Sequence, residues 1–379
     1  MYDDEVLDRL TSQLDRVRQY DLYADLPAVE TWADFHDLPY LTAAELEADY
    51  ETHAPTGSCH DEAVMLSFTP MGEDLAPVFD TDDDLRWQAE ANAAVFREAG
   101  IEPGDRVLNT FGYHTFGTGI IVHRGLEALG AQVIPAGPGD SEGAAATVER
   151  YDVRAVVGNP SFAKKVGEAG ASVDVFVGAG EPFTSIPGQR EAVKEALDAD
   201  TAVDYFGSRQ ILPVAAETTA EDGLVVRDDY ALVEVIDPDT GERLPAGERG
   251  ELVLTHLRKE ACPLVRYRTG DLAELEVRDG RVVLPNGVVG RTDERLKVKG
   301  VKVYPESLGT VLAGFPGLTG EYRIEVTRPG STDHLALTVE GEADENALAT
   351  AVKERLLIAP DALTIVESLE EPGIVDERY

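Results

Sequence analysis

The sequence predicts an α/β fold: a large N-terminal domain of mostly parallel sheets with a β-rich subdomain, followed by a small C-terminal α+β domain. Three observations carry that expectation. Between residues 106 and 206, short apolar runs alternate with stretches of helical periodicity, the pattern of a sheet covered on both faces. After Gly223 the strand-like runs continue without intervening helices. At 379 residues and 43% hydrophobic content, the chain exceeds what one core holds and has apolar material for two domains.

The elements follow in order. Leu7, Leu10, Leu14 and Val17 recur at roughly helical spacing in a peripheral N-terminal helix. Thr42, with Glu45 three residues on, forms a capping-box pattern that opens another helix. Val64–Phe68 reads as a strand. Thr81 or Asp82 caps a helix that buries Leu85, Ala89, Ala93 and Phe96. Pro103–Gly104–Asp105 turns into the strand Arg106–Phe111. Helices are then expected at Gly117–Leu129, Gly143–Tyr151, Phe162–Ala169 and Arg190–Leu197. Strands are expected between them at Gln132–Pro135, Ala155–Gly158, Val173–Val177 and Ala202–Phe206. Right-handed crossovers in such a sheet put functional loops at the strand C-termini. The β-rich part comprises Leu224–Arg227, Tyr230–Asp237, Gly250–Thr255, Leu272–Val277 and Arg281–Leu284. The final domain reads as strand (Lys297–Val301), helix (Glu306–Ala313), two strands (Tyr322–Thr327, His334–Val339), helix (Glu345–Leu357) and strand (Ala362–Val366).

Charge narrows the function. With 72 acidic and 33 basic residues the net charge is −39, which repels nucleic-acid phosphates. The acidic residues are spread along the chain, as in a solvating surface adapted to high salt, where a short Debye length screens self-repulsion. Cys59 and Cys262 lie far apart with no metal-ligand spacing, so a reduced compartment is expected, with Cys262 serving packing. No stretch approaches the ~20 apolar residues of a membrane span. The acidic start MYDDEVLDRL lacks the design of a signal peptide. The expectation is a soluble, cytoplasmic protein with no nucleic-acid or membrane partner.

The stretch from Leu264 to Pro305 is unlike ordinary strand. Arg266, Tyr267, Arg268, Thr269 and Asp271 surround Gly270. Gly290, Arg291 and Asp293 precede the basic run Lys297, Lys299 and Lys302, with Gly300 inside it. Each half alone is equally compatible with a hairpin and a solvated, lysine-bearing edge strand. Together, YRTGD and GRTDERLKVKGVKVYP resemble the nucleotide-binding and hinge motifs of adenylate-forming (AMP-dependent) enzymes. The resemblance is closest to the phenylacetate–CoA ligase and coenzyme F390 synthetase branch. It extends to LPYLTAAEL, to VGAGEPF (Val177–Phe183), and to the segment from Glu234 through Asp271.

The resemblance implies a large AMP-binding domain over 1–290, with the β-rich subdomain at about 223–290. A small domain over 291–379 would follow a hinge at 291–293, with Asp293 as pivot. It implies an AMP-forming carboxylate–CoA ligase that makes an acyl adenylate and then a thioester, using ATP, Mg²⁺ and CoA on an aromatic or related acid. Asp271 would accept the ribose hydroxyls; otherwise it is a turn aspartate beside Gly270. Gly180, Glu181 and Pro182 would border the adenine. In Tyr205–Phe206–Gly207, Phe206 would stack on the base, and Arg291 would reach the nucleotide. Tyr113, His114 and Phe116 would line the acyl pocket, although a packed or surface His114 is as compatible. A homodimer, or pairing with a paralogue, is the association implied.

The phosphate side departs from the family pattern at three places, so no catalytic residue is assigned. Where a Ser/Thr/Gly-rich loop with a lysine would cradle phosphates, the chain has Ser67–Phe68–Thr69–Pro70–Met71–Gly72–Glu73–Asp74. Pro70 lacks a backbone donor, and each like-charge contact of Glu73 or Asp74 with phosphate costs on the order of 4 kcal/mol at ~4 Å. Gln210 stands where a Mg²⁺-binding glutamate is expected, a poorer ligand for a hard cation, with Arg209 beside it as a possible phosphate contact. After Gly373 no lysine follows; Lys353 is the last, and Arg378 comes late. Two further readings therefore stand beside the ligase. One is a degenerate member that binds AMP or an acyl adenylate as a regulatory or partner subunit. The other is CoA transfer from a ready-made adenylate.

Overall fold

The computed structural model describes residues 2–58, 63–71, 74–292, 296–298, 301–303, 305, 307–328, 333–356, 358–369 and 371–376. The chain divides into two compact units. The first comprises Met1–Thr184, Arg190–Thr269 and Ala273–Gly287; the second comprises Ser185–Gln189, Gly270–Leu272 and Val288–Tyr379.

The chain begins with α1 (Asp4–Val17), α2 (Trp32–His36) and α3 (Ala43–Thr52). Val6, Leu10, Leu14 and Val17 are the buried face of α1, so the stripe runs through Val6 rather than Leu7. Thr42 and Glu45 close the expected capping box on α3. Next comes a hairpin of β1 (Met65–Met71) and β2 (Asp74–Asp80), then α4 (Asp82–Glu98), capped by Thr81 with Asp84. The stripe on α4 is also wider than apolar periodicity suggests. Asp84, Gln88 and Asn92 are buried with Leu85, Ala93 and Phe96, whereas Ala89 is half-buried.

The alternating segment then runs β3 (Arg106–Asn109), α5 (Thr118–Leu129), β4 (Gln132–Pro135), α6 (Ser141–Tyr151), β5 (Ala155–Gly158), α7 (Pro160–Glu168), β6 (Val175–Gly178), α8 (Gln189–Leu197) and β7 (Thr201–Phe206). Strands β4, β3, β5, β6 and β7 lie side by side in that order, all parallel. Helix α5 crosses α4 closely at Gly125, where an added Cβ would come within 2.4 Å of Asn92 Cβ.

The first unit continues with β8 (Ala215–Ala216), β9 (Leu224–Val226), β10 (Ala231–Ile236), β11 (Arg249–His256), β12 (Tyr267–Glu274), β13 (Glu276–Arg278) and β14 (Arg281–Leu284). The strands expected as one β-rich subdomain divide between two sheets. β8, β9, β14 and β13 extend the parallel sheet in antiparallel fashion, while β10, β11 and β12 belong to another sheet. Apolar runs show that a strand exists, not which neighbour it pairs with. The strand expected at Leu272–Val277 is two strands, the first starting at Tyr267.

The second unit has β15 (Gly290–Arg291), paired to the Asp271–Leu272 part of β12, and a hairpin of β16 (Leu296–Val298) and β17 (Val301–Val303). Then follow α9 (Ser307–Ala313), β18 (Leu318–Thr327), β19 (His334–Gly341), α10 (Glu345–Leu356), β20 (Ala362–Val366) and β21 (Gly373–Asp376). Its sheet runs β20-β19-β18-β21 over a core that includes Val298, Leu308, Val326, Val339 and Val352.

The N-terminal helices are fastened to the second sheet of the first unit by Arg266. This side chain is 1% exposed and forks onto Glu234 through Nε and Nη2, both at 3.0 Å. Nη1 donates to the carbonyls of His36 (2.8 Å) and Leu38, and the guanidinium lies 4.1 Å from the centre of the Tyr40 ring. Burial pushes the Glu234 carboxyl up from its ordinary range, opposed by the Arg266 charge. Arg266 is thus structural, and the charge convergence read from the sequence is a buried fork.

Removing one member leaves the other charge uncompensated. Arg266→Met is expected to cost about 3–5 kcal/mol in urea unfolding at pH 7. The loss should shrink as pH falls toward 5, because Glu234 without its partner takes up a proton.

Candidate active site

In the first unit, the predicted site residues collect where parallel strands end. β6 and β7 pair with Gly178 opposite Asp204, so the Gly178–Pro182 loop and the Phe206–Gly207 segment leave adjacent strands at the same sheet edge. Such C-terminal edges are where ligands bind in open α/β sheets. Gly180 has φ +81°, and an added Cβ would approach Asn159 Nδ2 to 2.8 Å, so glycine is needed there. Glu181 is held from below: its carboxylate accepts from Ser161 N (2.9 Å) and Ser161 Oγ (2.6 Å) at the start of α7. It therefore stiffens the loop, whereas Gly180 and Pro182 are exposed.

At the end of β7 the three predicted residues separate. Tyr205 is 1% exposed, packs edge-on against Phe96, and donates its hydroxyl to Asn92 Oδ1. It is a core residue and not the nucleotide contact that the resemblance implies. Alternation along a strand sends its neighbour the other way. Phe206 is half-buried and packs in part against a neighbouring apolar core. Gly207 fits because an added Cβ would lie 2.6 Å from Leu212 Cδ1 and 2.8 Å from Ile211 O.

Asp204 was not singled out in the sequence. It is 8% exposed, and Oδ2 accepts from Thr184 N at 3.0 Å. Its own amide donates to Glu217 Oε2 at 2.8 Å, and Glu217 is forked by Arg190. Burial, opposed by the Thr184 amide and reinforced by Glu217, raises its carboxyl to about 6. An acidic residue within an otherwise apolar strand is the signal that marks it.

The segment after β3 carries the aromatic group. Tyr113 is anchored by its hydroxyl, which accepts from Asn109 Nδ2 (2.7 Å) and bonds His123 Nδ1 (2.9 Å). Burial raises its phenol to about 12, so it stays protonated. His114 lies edge-on to Phe116, with ring centres 5.3 Å apart, and both are exposed. A cavity of about 230 Å³ between Tyr2, Trp32, His36 and Arg243 is lined by none of these residues.

In the second unit, Asp271 and Arg291 are opposite each other on β12 and β15, with Arg291 Nη1 2.9 Å from Asp271 Oδ1. Asp293 lies outside the described residues.

The phosphate-side expectations change most. Ser67–Met71 and Asp74 are not a loop but strand residues of β1 and β2, with Thr69 opposite Ala76 and Pro70 opposite Leu75. Ser67 and Thr69 are 1% and 8% exposed, so their hydroxyls are not offered to a phosphate. Gly72 and Glu73 lie outside the described residues. Arg209 is 6% exposed and bonded to Asp80, so it is unavailable for a phosphate, contrary to expectation. The amide nitrogen of Gln210 is buried without a hydrogen-bond partner among the described residues. Among the described residues, no group of three or more His, Cys, Asp or Glu is arranged to hold a metal ion. Gln210 presents a neutral amide where a Mg²⁺-binding carboxylate is expected, a poorer ligand for a hard cation. Gly373 begins β21, which pairs in parallel with β18, so the tail here is a strand; Arg378 and Cys59 lie outside the described residues. Cys262 is a free thiol that burial pushes up to about 12, consistent with packing. Among the described residues, no helix is long and apolar enough to cross a membrane.

Comparisons with known proteins follow the same line. The profile described as AMP-binding enzyme C-terminal domain matches residues 300–365. A phenylacetate-coenzyme A ligase of Thermus thermophilus is 33% identical over 359 residues, covering 89% of this chain and 80% of that protein. A phenylacetate-coenzyme A ligase of Escherichia coli is 33% identical over 276 residues, or 69% of this chain and 62% of that protein. Among solved structures, a 2-hydroxyisobutyryl-CoA ligase in its postadenylation state superimposes with a TM-score of 0.83 at 24% identity. It covers 99% of this chain and 90% of that one, a likeness of fold.

Asp204 yields a pH signature. Its folded value near 6 lies above the ordinary 3.8, so the stability it contributes is present below about pH 4 and lost as pH rises through 6. Asp204→Asn does not titrate. Unfolding free energies should shift in favour of the variant by up to about 3 kcal/mol between pH 4 and pH 8. A pH-independent difference would make Asp204 an ordinary carboxylate.

Proposed function

The chain belongs to the phenylacetate–CoA ligase family of adenylate-forming enzymes, and from that membership we propose that it joins a carboxylic acid, aromatic or related, to CoA through an acyl adenylate. The observation that carries the reading is the parallel pairing of β6 with β7, which has Gly178 opposite Asp204 and so lets the Gly180–Pro182 loop and the Phe206–Gly207 segment follow neighbouring strands. Phe206 would stack on the adenine and the exposed Gly180 would let the ring approach the backbone. Asp271 would accept the ribose hydroxyls, with Arg291 holding its carboxylate in place. Tyr113, His114 and Phe116 would line the acid's pocket.

In the first step a carboxylate oxygen attacks the α-phosphorus of ATP, and the bond to pyrophosphate breaks. In the second, the CoA sulfur attacks the adenylate carbonyl, loses its proton, and AMP leaves with the bonding pair. Positioning and electrostatics supply most of the catalysis in phosphate chemistry. The residues described favour the second step, which needs AMP held but no polyphosphate cradle. No step is assigned to Mg²⁺, since Gln210 replaces the expected carboxylate.

A second reading rests on the buried Ser67, Thr69 and Arg209: a member that binds AMP or acyl adenylate and serves as a regulatory or partner subunit. A homodimer or a paralogue complex would be its working form. The net charge of −39 supports a cytoplasm rich in salt as its setting.

The deciding experiment is ATP–pyrophosphate exchange in high KCl with Mg²⁺ across aryl and short-chain acids. Exchange that depends on one acid class is the expected result. Silence, with AMP still binding by calorimetry, would favour the second reading. Asp271→Ala should weaken AMP binding by about tenfold or more, the cost of a charged hydrogen bond. Unchanged affinity would remove Asp271 from the site. Thermal melting should rise by several degrees between dilute buffer and molar KCl, and a flat response would contradict adaptation to salt.

A further inference from the structure

The cavity of about 230 Å³ between the N-terminal segment and β10 takes no part in the functional reading, and its lining lies wholly within the first unit. Three rings form one wall. Tyr2 and Trp32 stack with centres 5.9 Å and planes 28° apart, and Trp32 and His36 stack at 6.2 Å and 24°. Trp32 and His36 share a face of α2 because they are one helical turn apart. The Tyr2 hydroxyl pins this wall to β10, donating to the Val233 carbonyl (3.2 Å) and accepting from the Val233 amide (3.1 Å). β10 ends its sheet, so these bonds take the place of a neighbouring strand. Further along, Leu244 N donates to the Val235 carbonyl at 2.9 Å. The cavity lies where β10 passes from Tyr2 to Leu244, and the buried Leu232, Val235 and Leu275 line it from within.

The polar groups gather at Arg243. Its Nη1 lies 3.0 Å from His36 Nδ1, and its Nε lies 3.3 Å from Glu234 Oε1. Burial, then the charges of Arg243 and Arg266, push the His36 imidazole down to about 4, against a smaller opposing effect of the exposed Asp37. The ring is therefore neutral at pH 7, accepts from Arg243 through Nδ1 and carries its proton on Nε2. Arg266 already engages both oxygens of Glu234 at 3.0 Å. One buried carboxylate thus faces two guanidinium groups, a surplus of one positive charge beside the cavity in a chain of net charge −39. Arg243, Pro245 and Ala246 are exposed, which puts the mouth next to that charge.

Size and chemistry together define the guest. An apolar cavity of about 150 Å³ holds benzene, and at that ratio this one takes about nine non-hydrogen atoms, an aromatic ring with one small substituent. The ring wall and the apolar interior suit the ring. The surplus guanidinium suits a planar anion, which its fork can meet with parallel hydrogen bonds. We propose that this cavity is a binding site for a small aryl carboxylate of benzoate size, with the ring against Trp32 and the carboxylate on Arg243. It shares no residue with the nucleotide-side loops and does not rest on the ligase reading.

The test uses Trp87→Phe, which leaves Trp32 as the one indole of the chain, so that fluorescence reports on the wall itself. Benzoate, added at pH 7 and constant ionic strength, should change that signal along a saturating curve. Benzamide, of the same size but neutral, should bind about tenfold more weakly or worse. Arg243→Met in the same background should weaken benzoate by about the same factor, the cost of a charged hydrogen bond. No saturable change with millimolar benzoate would overturn the site. Benzamide binding as tightly as benzoate would overturn the carboxylate. Benzoate affinity unchanged by Arg243→Met would place the acid elsewhere and overturn the assignment. Arg243 is exposed and Glu234 keeps Arg266, so the variant is expected to fold. Should it not, the comparison of benzoate with benzamide decides alone.

Discussion

Asp80 is the residue on which the first unit depends most. It ends β2, sits immediately before the Thr81 cap of α4, and receives Lys259, Arg209 and Gln88. The three arrive from the β11–β12 connection, the segment after β7, and α4. A carboxylate at 0% exposure is tolerable because cations and amide donors replace its water. Asp84 extends the same arrangement: its carboxylate takes Lys259, the backbone amides of Glu260 and Ala261, and the Thr81 amide. Asp80 and Asp84 thus join a helix, a hairpin and two sheets through charge rather than apolar contact.

That arrangement explains why motif residues divide as they do. Arg266 and Arg268 lie in the stretch that most resembles a nucleotide-binding motif and Lys259 shortly before it, yet each is directed at a carboxylate of the first unit: Glu234, Glu251 and Asp80. The cations build the frame, while Gly180 is exposed and Phe206 and Gly207 are half-buried. Resemblance of sequence does not separate these roles, because framework and ligand contacts alternate within a few residues.

Legibility followed the same division. The βα alternation from Arg106 to Phe206 was readable since period and length both changed at each boundary, and the parallel strand ends collected the predicted loops. Strand β2 was not readable: Pro77 and acidic residues at both ends obscure the alternation in DLAPVFD. Pairing partners of β9, β13 and β14 were hidden as well, because register and sheet membership are set by tertiary contacts rather than by local pattern. At the site, Tyr205 and Phe206 are neighbours of one chemical class, and only the strand's orientation tells which faces the core. The buried polar face of α4 was missed for a related reason. Gln88 and Asn92 read as solvent-facing until Asp80 and Tyr205 supply their partners.

The balance of charge bears on which half-reaction suits this chain. A polyphosphate needs several cations free to move toward it, and the chain has 33 basic residues against 72 acidic ones. In the first unit Arg190, Arg209, Lys259 and Arg266 are each closed onto a carboxylate at low exposure. Drawing any of them out would strand a buried anion, at a cost of several kcal/mol. The hydroxyls of Ser67 and Thr69 are buried in a hairpin, so the backbone of that stretch serves strand pairing before it serves a ligand. An adenylate with one phosphate asks far less of the same surface: a stacking ring, a diol acceptor and a glycine loop. Of the two half-reactions in the proposed function, the one that starts from the adenylate draws least on these buried, carboxylate-bound cations.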